Sequence, residues 1–304
     1  MRRVLLWMAR NNWMRHHLPN LWFARRAVRR FMPGETAGEA IDAAAKFKEA
    51  GTAVLFTRLG ETLTGIDDGD ETAADYRSLL SEAAARGLSA EVSVKLTQLG
   101  FDLDRGRAMA HMRGLADSAR DGTVWIDMEG SDYTEETIAF YEELKQTHPN
   151  TGLCLQAYLH RTAADVQRLL PIAPRIRLVK GAYAEPAAIA YQSRKEVDAE
   201  YYKLCVQMLD AMRAGQDLFL GLGTHDVELI ARVADYAQSI GLGKDSFDVE
   251  MLYGIRTDQQ KRLAGEGFTV RVLVAYGEAW YPWYMRRLAE RPANVVFALR
   301  QLLP

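Results

Sequence analysis

The chain has 304 residues, of which 48% are hydrophobic and 26% are charged, so it has enough apolar side chains for a large core. The net charge of −2 gives no global field that would favour a nucleic-acid partner. Cys154 and Cys205 form no C-x-x-C pair, which argues against a disulfide framework and indicates a reducing, cytoplasmic setting. The histidine spacings show no metal motif.

The first 35 residues are basic and aromatic. Eight arginines precede the first acidic residue, Glu35, and Trp7, Trp13 and Trp22 are interleaved with them. The early apolar run is too short for a signal peptide, and no stretch reaches the roughly 18 apolar residues of a membrane span. A helix of this composition either packs on the domain by its aromatic face or lies in a membrane interface. We therefore expect a helical extension over residues 1–50, with peripheral contact at the inner face of the cell membrane as one of two alternatives.

From about residue 50 onward, a short apolar run, a polar or glycine-bearing turn and a helical pattern follow one another repeatedly. Eight runs have strand character: 52–59, 91–96, 123–129, 152–158, 176–180, 218–224, 247–252 and 268–274. The helical periodicity covers residues 71–86, 104–120, 134–147, 162–170, 197–214, 226–240, 258–266 and 281–303.

Strands that alternate with helices favour a parallel sheet. Eight units in about 250 residues favour a closed barrel over an open sheet. An open doubly wound sheet usually carries a G-x-G-x-x-G fingerprint after its first strand, whereas Gly60-Glu61-Thr62 stands there. We predict an α/β protein with a (β/α)8, or TIM, barrel over residues 51–304, preceded by the helical extension.

Active sites of such barrels form where the strands end. Lys95 ends the second predicted strand and Asp127 ends the third, so neighbouring strands bring them within reach of an ion pair. A buried lysine needs a carboxylate partner whether the pair is only structural or serves a reaction. The position of Lys95 and Asp127 on the rim where such barrels carry their active sites favours a functional role for the pair.

The fifth predicted strand ends in a pattern that suits ligand binding. Alternation sends Arg177 and Val179 to one side of the sheet and Leu178 and Lys180 to the other. An inward Arg177 is unfavourable unless it meets an anion, an electron-rich cofactor edge or a structural ion-pair partner. Gly181 then allows a ligand to approach the backbone closely.

Two further motifs remain open on spacing alone. Thr224 and His225 end the sixth strand before a helix, whose exposed N–H groups could bind phosphate, but His225 could equally be an ordinary capping residue. Arg286 and Arg287 on the last predicted helix could hold a carboxylate with forked hydrogen bonds. They could also belong to a solvated basic face in which Arg286 pairs with Glu290.

Taken together and in order, seven motifs resemble the monofunctional bacterial proline dehydrogenases. They are SVKLTQLG, IDME, LQAYL, RLVKGAYAEP, GTHD, MLYGIR and RRLAERPAN, and the resemblance runs from about residue 33 to the C-terminus. It implies a distorted (β/α)8 barrel that holds noncovalent FAD and oxidises L-proline to Δ1-pyrroline-5-carboxylate. It also implies that the electrons then pass to a membrane quinone.

The resemblance also implies a role for each matching residue. Lys95, Arg286 and Arg287 would bind the substrate carboxylate, Asp127 would pair with Lys95, and Arg177 would lie near the reactive flavin nitrogen. The residues that would line FAD, besides Arg177, are Met128, Gln156, Val179, Lys180, Gly181, Ala182, Thr224 and His225. Tyr183, Leu273 and Trp283 would wall the substrate pocket. Glu61 matches the gating glutamate of the family, which pairs with Arg286.

This chain departs from the family pattern at three positions. The family usually has Tyr where Leu273 and Trp283 stand, and Gln where Glu250 stands. Because the first two positions flank the substrate ring, a substituted proline such as hydroxyproline is an alternative substrate. Two other functions remain as alternatives. One is a Schiff-base barrel lyase that uses Lys95 or Lys180, and the other is an inactive barrel that serves as a membrane-docking module.

Overall fold

The computed structural model describes residues 7–8, 11–17, 28–49, 51–60, 63 and 65–290. Its centre is a closed barrel of eight parallel strands that follow one another in chain order. They are β1 (Ala53–Arg58), β2 (Ala90–Val94), β3 (Val124–Ile126), β4 (Thr151–Gln156), β5 (Arg175–Val179), β6 (Phe219–Gly223), β7 (Asp248–Leu252) and β8 (Thr269–Tyr276). Every predicted strand is present, so the predicted barrel is confirmed.

Helices lie between the strands, as predicted. The described ones are α1 (Asn12–His17), α2 (Ala37–Glu49), α3 (Ile66–Ala85), α4 (Arg105–Ala119), α5 (Thr134–Lys145), α6 (Thr162–Leu169), α7 (Arg194–Arg213), α8 (Val227–Ser239), α9 (Thr257–Gly265) and α10 (Trp280–Glu290). The part of the last predicted helix that follows Glu290 lies outside the described residues.

Two helices begin earlier than their apolar periodicity predicted. The first turn of α3 contains Asp67 and Asp68, which suit the positive end of a helix but add nothing to an apolar pattern. Helix α7 begins after Ser193, whose hydroxyl accepts from the N–H of Glu196 while the Glu196 carboxylate accepts from the N–H of Ser193. This reciprocal capping explains why a polar first turn is helical.

The two faces of the strands have different contents. In β5, Ile176 and Leu178 are fully buried in the apolar core that the helices cover. Between them, Arg177 contacts Ser93 of β2, Glu250 of β7 and Asp127, which follows β3, and none of these strands is a neighbour of β5 in the sheet. It therefore points into the barrel, as the alternation predicted.

The segment before the barrel contacts the face where the strands end. Val28, Phe31 and Met32 form a second apolar cluster with residues of β8 and α10. The backbone carbonyl of Glu35 accepts from Gly277 N–H at 2.9 Å, and its carboxylate accepts from Trp280 Nε1 at 2.9 Å. Residues 28–35 thus hold the turn that leads from β8 into α10.

Gly254, in the loop that follows β7, packs directly against the backbone of residues 30–31. It has φ +70°, and a Cβ atom there would overlap the carbonyl oxygen of Arg30. We expect Gly254→Ala to lower the free energy of unfolding by about 2–4 kcal/mol, because left-handed strain adds to the overlap. Urea unfolding measures this loss.

Gly241→Ala is the matched control. Gly241 has φ +84°, but a Cβ there would meet no atom within 4 Å. It should therefore lose only the conformational part, about 1 kcal/mol. Equal losses in the two variants would contradict close packing of Arg30 on this loop.

Candidate active site at the carboxyl ends of the strands

The ends of the parallel strands bring the predicted residues to one face of the barrel. Lys95 follows β2, Asp127 follows β3, Gln156 closes β4, Lys180 follows β5, and Thr224 follows β6. In a closed parallel barrel these ends share one rim. Residues that are up to 129 positions apart in the sequence therefore surround a single opening.

A buried arginine lies at the centre of this arrangement. Arg177, 4% exposed, donates from Nε to Glu250 Oε2 at 2.5 Å and from Nη1 to Asp127 Oδ1 at 3.2 Å. The same Nη1 donates to Ser93 Oγ at 2.7 Å, and that hydroxyl donates to Asp127 at 2.7 Å. The guanidinium also lies over the Trp125 ring, 4.5 Å from its centroid. Burial of this charge is tolerable because carboxylates and an aromatic face surround it.

Further charges fill the barrel toward the other end of the strands. Glu91 accepts from Trp125 Nε1 at 2.8 Å and from Arg271 Nη1 at 2.8 Å. Arg271 donates from Nε to Asp248 at 2.5 Å. This network was not among the features predicted from the sequence, although the sequence carries a signal for it. In the buried strands β2, β7 and β8, polar residues recur at every second position, as they do in β5.

Gln156 joins two loops of the rim. Its Nε2 donates to the carbonyl of Glu129 at 2.9 Å, and its Oε1 accepts from Ala182 N–H at 3.2 Å. The Glu129 carboxylate in turn accepts from Thr97 Oγ1 at 2.9 Å. Gln156, 2% exposed, therefore fixes the loops after β3 and β5 relative to each other.

The residues after β5 and β6 form a second polar group. Lys180 Nζ donates to Asp226 Oδ2 at 2.8 Å and to Asp198. Gly181 follows with φ +126° and an exposed backbone. Thr224 is 7% exposed, and its hydroxyl accepts from Asp226 N–H at 3.2 Å. The amine of Lys180 is thus already engaged by two carboxylates, and these contacts disfavour Lys180 as a Schiff-base residue.

The residues that were predicted to wall the substrate pocket, and the remaining ones predicted to line FAD, differ in their surroundings. Leu273 and Trp283 are half-buried and pack against the same second apolar cluster. Tyr183 is half-buried on the loop after β5, and Met128 is 6% exposed after β3. His225 Nε2 accepts from Leu252 N–H at 3.4 Å.

Part of the predicted carboxylate site lies beyond what the structure describes. Glu61 is outside the described residues, and of helix α10 the backbone is described through Glu290 but the side chains only through Met285. The roles of Glu61, Arg286 and Arg287 therefore stay predictions. The same holds for the ion pair between Lys95 and Asp127, because the contacts of Asp127 given above are to Ser93 and Arg177.

One donor of the arginine has no acceptor among the described residues. Arg177 Nη2 is buried and makes no hydrogen bond to any part of the chain that the structure describes. A buried guanidinium N–H without an acceptor is costly. An electron-rich ring edge placed against it would satisfy it, so the residues fit the cofactor that the sequence implied. The nearby Cys154 thiol offers no alternative nucleophile, because burial raises its pKa to about 12.

Comparison with known proteins now decides the family. A family model for proline dehydrogenase matches residues 40–300. The chain belongs to the proline dehydrogenase family. It is 33% identical to proline dehydrogenase 1 of Bacillus subtilis (strain 168) over 306 residues, which are 100% of this chain and 99% of that protein. It is 36% identical to proline dehydrogenase of Deinococcus radiodurans over 281 residues, 90% and 89% of the two chains.

A solved structure supports the same fold. Proline utilization A from Bdellovibrio bacteriovorus, inactivated by N-propargylglycine, matches with a TM-score of 0.81 at 21% identity. The match covers 95% of this chain and 36% of that one. At this identity the likeness carries the fold alone.

Family membership separates the three functions that the sequence left open. The protein is an oxidoreductase of the proline dehydrogenase family, which confirms the predicted class of enzyme. The Schiff-base lyase and the inactive docking barrel are therefore set aside. The roles of individual residues rest on the geometry above and on experiment.

The Ser93 hydroxyl offers a test of the buried network. We expect Ser93→Ala, a fully buried position, to lower the free energy of unfolding by about 2 kcal/mol, because two hydrogen bonds to charged groups are lost. Ser118→Ala removes a bond within helix α4 and should change stability by less than about 0.5 kcal/mol. Thermal and urea unfolding distinguish these outcomes, and equal effects would count against the Arg177 network.

Proposed function

We propose that the chain binds FAD noncovalently, oxidises L-proline to Δ1-pyrroline-5-carboxylate and passes the electrons to a quinone. Two observations support this proposal, namely membership of the family over residues 40–300 and the buried donor Arg177 Nη2. The buried donor is the observation on which the proposed location of the site rests. Arg177 lies in β5 close to its carboxyl end, on the side of the barrel where such enzymes bind their ligands, and its Nη2 has no acceptor among the described residues.

The reaction defines what the protein must hold. Proline loses a hydride from the ring carbon that is bonded to nitrogen and lacks the carboxylate, and the nitrogen loses a proton, so that a C=N bond forms. FAD supplies the two-electron acceptor when it is bound. The chain must fix the ring in one orientation, and a carboxylate gripped by cations achieves this. We assign that grip to Lys95, Arg286 and Arg287.

Asp127 and Arg177 form the catalytic centre in this proposal. Asp127 is held by Ser93 and Arg177, and its side chain is 23% exposed, so it can face both the network and a ligand. Arg177 stabilises the negative charge that develops on the acceptor. Because its Nε and Nη1 are already engaged, Nη2 is the donor available for this purpose.

The FAD-lining residues that we propose lie around this centre. They are Met128, Gln156, Arg177, Val179, Lys180, Gly181, Ala182, Thr224 and His225. The exposed backbone of Gly181 and Ala182 allows a close approach, and Gln156 fixes its position. Lys180 already donates to two carboxylates, so a phosphate would share its ammonium with them.

Leu273, Trp283 and Tyr183 are our candidates for the wall around the substrate ring, and Glu61 for the gate. Leu273 and Trp283 pack against an apolar cluster. An apolar wall offers no hydrogen-bond partner to a hydroxyl group on the substrate ring, so a hydroxylated ring would bind no more tightly than proline. This packing supports L-proline over hydroxyproline as the preferred substrate.

A substrate panel with one arginine variant tests the proposal. We expect the purified protein to retain FAD and to oxidise L-proline faster than 4-hydroxyproline with a quinone or dye acceptor. Arg286→Lys should raise the KM for proline at least tenfold, because lysine lacks the planar fork. Its FAD content should be unchanged, which separates substrate binding from cofactor binding.

Arg262→Lys is the control for this substitution. Arg262 lies on α9 and pairs on the surface with Glu266 at 2.6 Å. Its kinetics should equal those of the wild type. If the purified protein contains no FAD and does not bind added FAD, the proposal is contradicted.

We also propose that the protein is cytoplasmic and touches the inner face of the membrane through its N-terminal residues. No helix in the described part of the chain could cross a bilayer. Met8 and Met14 pack inward on the second apolar cluster, whereas Trp7 and Trp13 are 59% and 63% exposed. Outward indoles in a segment rich in arginine suit an anionic lipid interface.

Vesicle binding tests this surface. We expect the double variant Trp7→Ser, Trp13→Ser to weaken sedimentation with phosphatidylglycerol vesicles at least tenfold, while turnover with a soluble dye stays at the wild-type level. Leu103→Ser is the control, because Leu103 is 58% exposed on the loop between β2 and α4. Equal loss in the control, or no binding by the wild type, would exclude a lipid-docking role for the two tryptophans.

A further inference from the structure

Besides Asp127, a second carboxylate, that of Glu250, binds the guanidinium of Arg177. Glu250 lies in β7 and is 5% exposed. Its Oε2 accepts from Arg177 Nε at 2.5 Å, and its Oε1 is buried without a hydrogen-bond donor among the described residues. This arrangement costs folding free energy, because a buried carboxylate oxygen normally accepts a hydrogen bond from a donor of its own.

Glu250 determines how the guanidinium is oriented. Nη1 is bound to Ser93 and Asp127 on one side of the barrel, and Nε is bound to Glu250 on the other. The Trp125 ring supports the guanidinium from its face. With two edges of a rigid planar fork anchored, the direction of the remaining donor, Nη2, is fixed.

The residue also changes the local charge. Asp127 and Glu250 are two carboxylates for one guanidinium, so the cluster has a net negative charge when both are ionised. Burial raises the pKa of Glu250 above its usual range, and the opposite charge of Arg177 only partly compensates. A charge held in the dry interior acts strongly on any group bound beside it.

Space for Glu250 is built into the neighbouring strand. Gly221 lies in the adjacent strand β6, and a Cβ atom there would overlap Glu250 Oε1. Position 221 therefore reports on Glu250 independently of position 250 itself. A methyl group at 221 displaces the carboxylate while it preserves the charge.

We propose that Glu250 is a positioning residue that fixes the direction of Arg177 Nη2 and lowers the positive charge which this arginine presents to the bound cofactor. The inference rests on the proposed function, in which that cofactor is FAD. Reduction adds negative charge to FAD. A neighbouring carboxylate therefore opposes reduction and keeps the potential of the bound cofactor low.

Two variants separate the charge from the geometry. Glu250→Gln keeps an acceptor for Arg177 Nε and removes the charge, so the midpoint potential of bound FAD should become more positive by at least about 30 mV, the two-electron equivalent of a tenfold change. Its dissociation constant for FAD should remain close to that of the wild type. Gly221→Ala keeps the charge but moves the carboxylate, so the dissociation constant for FAD should rise about tenfold, or 1.4 kcal/mol.

Asp248→Asn is the matched control. Asp248 is a buried carboxylate of the same strand that pairs with Arg271 at 2.5 Å. The potential should not move in this variant, which excludes a general effect of removing a buried charge. Spectroelectrochemical titration of the holoenzyme measures the potentials, and flavin fluorescence measures the dissociation constants.

The outcomes distinguish the two proposals. A wild type that binds FAD, together with an unchanged potential in folded Glu250→Gln, would overturn the role of Glu250. If Glu250→Gln does not fold, an unchanged FAD affinity in Gly221→Ala overturns it instead. A wild type that binds no FAD contradicts the proposed function, whatever these variants do.

Discussion

The need to satisfy a guanidinium inside a protein governs this barrel. Arg177 is almost fully buried, and a buried cation is stable only with charged and hydrogen-bonding partners around it. Ser93 of β2, Glu250 of β7 and Asp127, directly after β3, supply them. Small residues make the necessary room. A Cβ at Gly152 would lie 2.5 Å from the Trp125 ring, and one at Gly221 would overlap Glu250.

The interior network divides the barrel into two regions. Toward the start of the strands, Arg271 forms ion pairs with Glu91 and Asp248, which fits the stabilising role of that end in such barrels. Toward the ends of the strands, the network leaves Arg177 Nη2 without a partner among the described residues. A layer of paired charges thus lies beneath the donor that we propose faces the cofactor.

The N-terminal residues contribute to the same face. Glu35 holds the turn before α10 through Gly277 and Trp280, and Phe31 packs on Tyr284 with ring centroids 5.7 Å apart. Helix α10 carries Arg286 and Arg287, to which we assign binding of the substrate carboxylate. In that assignment, the contacts made by residues 28–35 reach the substrate site through this helix.

The sequence by itself determined the order and type of the elements, because alternating apolar runs and helical periodicity are local properties of the chain. It also located the rim residues, from Lys95 to His225, since parallel strands must end together. Two helix starts were predicted late, because the first turn with Asp68 and the cap at Ser193 are polar and add nothing to an apolar periodicity. The partners of Arg177 were decided only by the tertiary structure. Ser93 and Glu250 are 84 and 73 residues away in sequence, and only closure of the barrel brings them into contact. Nη2 is the one nitrogen of Arg177 left unpaired within the described residues only because those contacts occupy the other two, so no local pattern could reveal it.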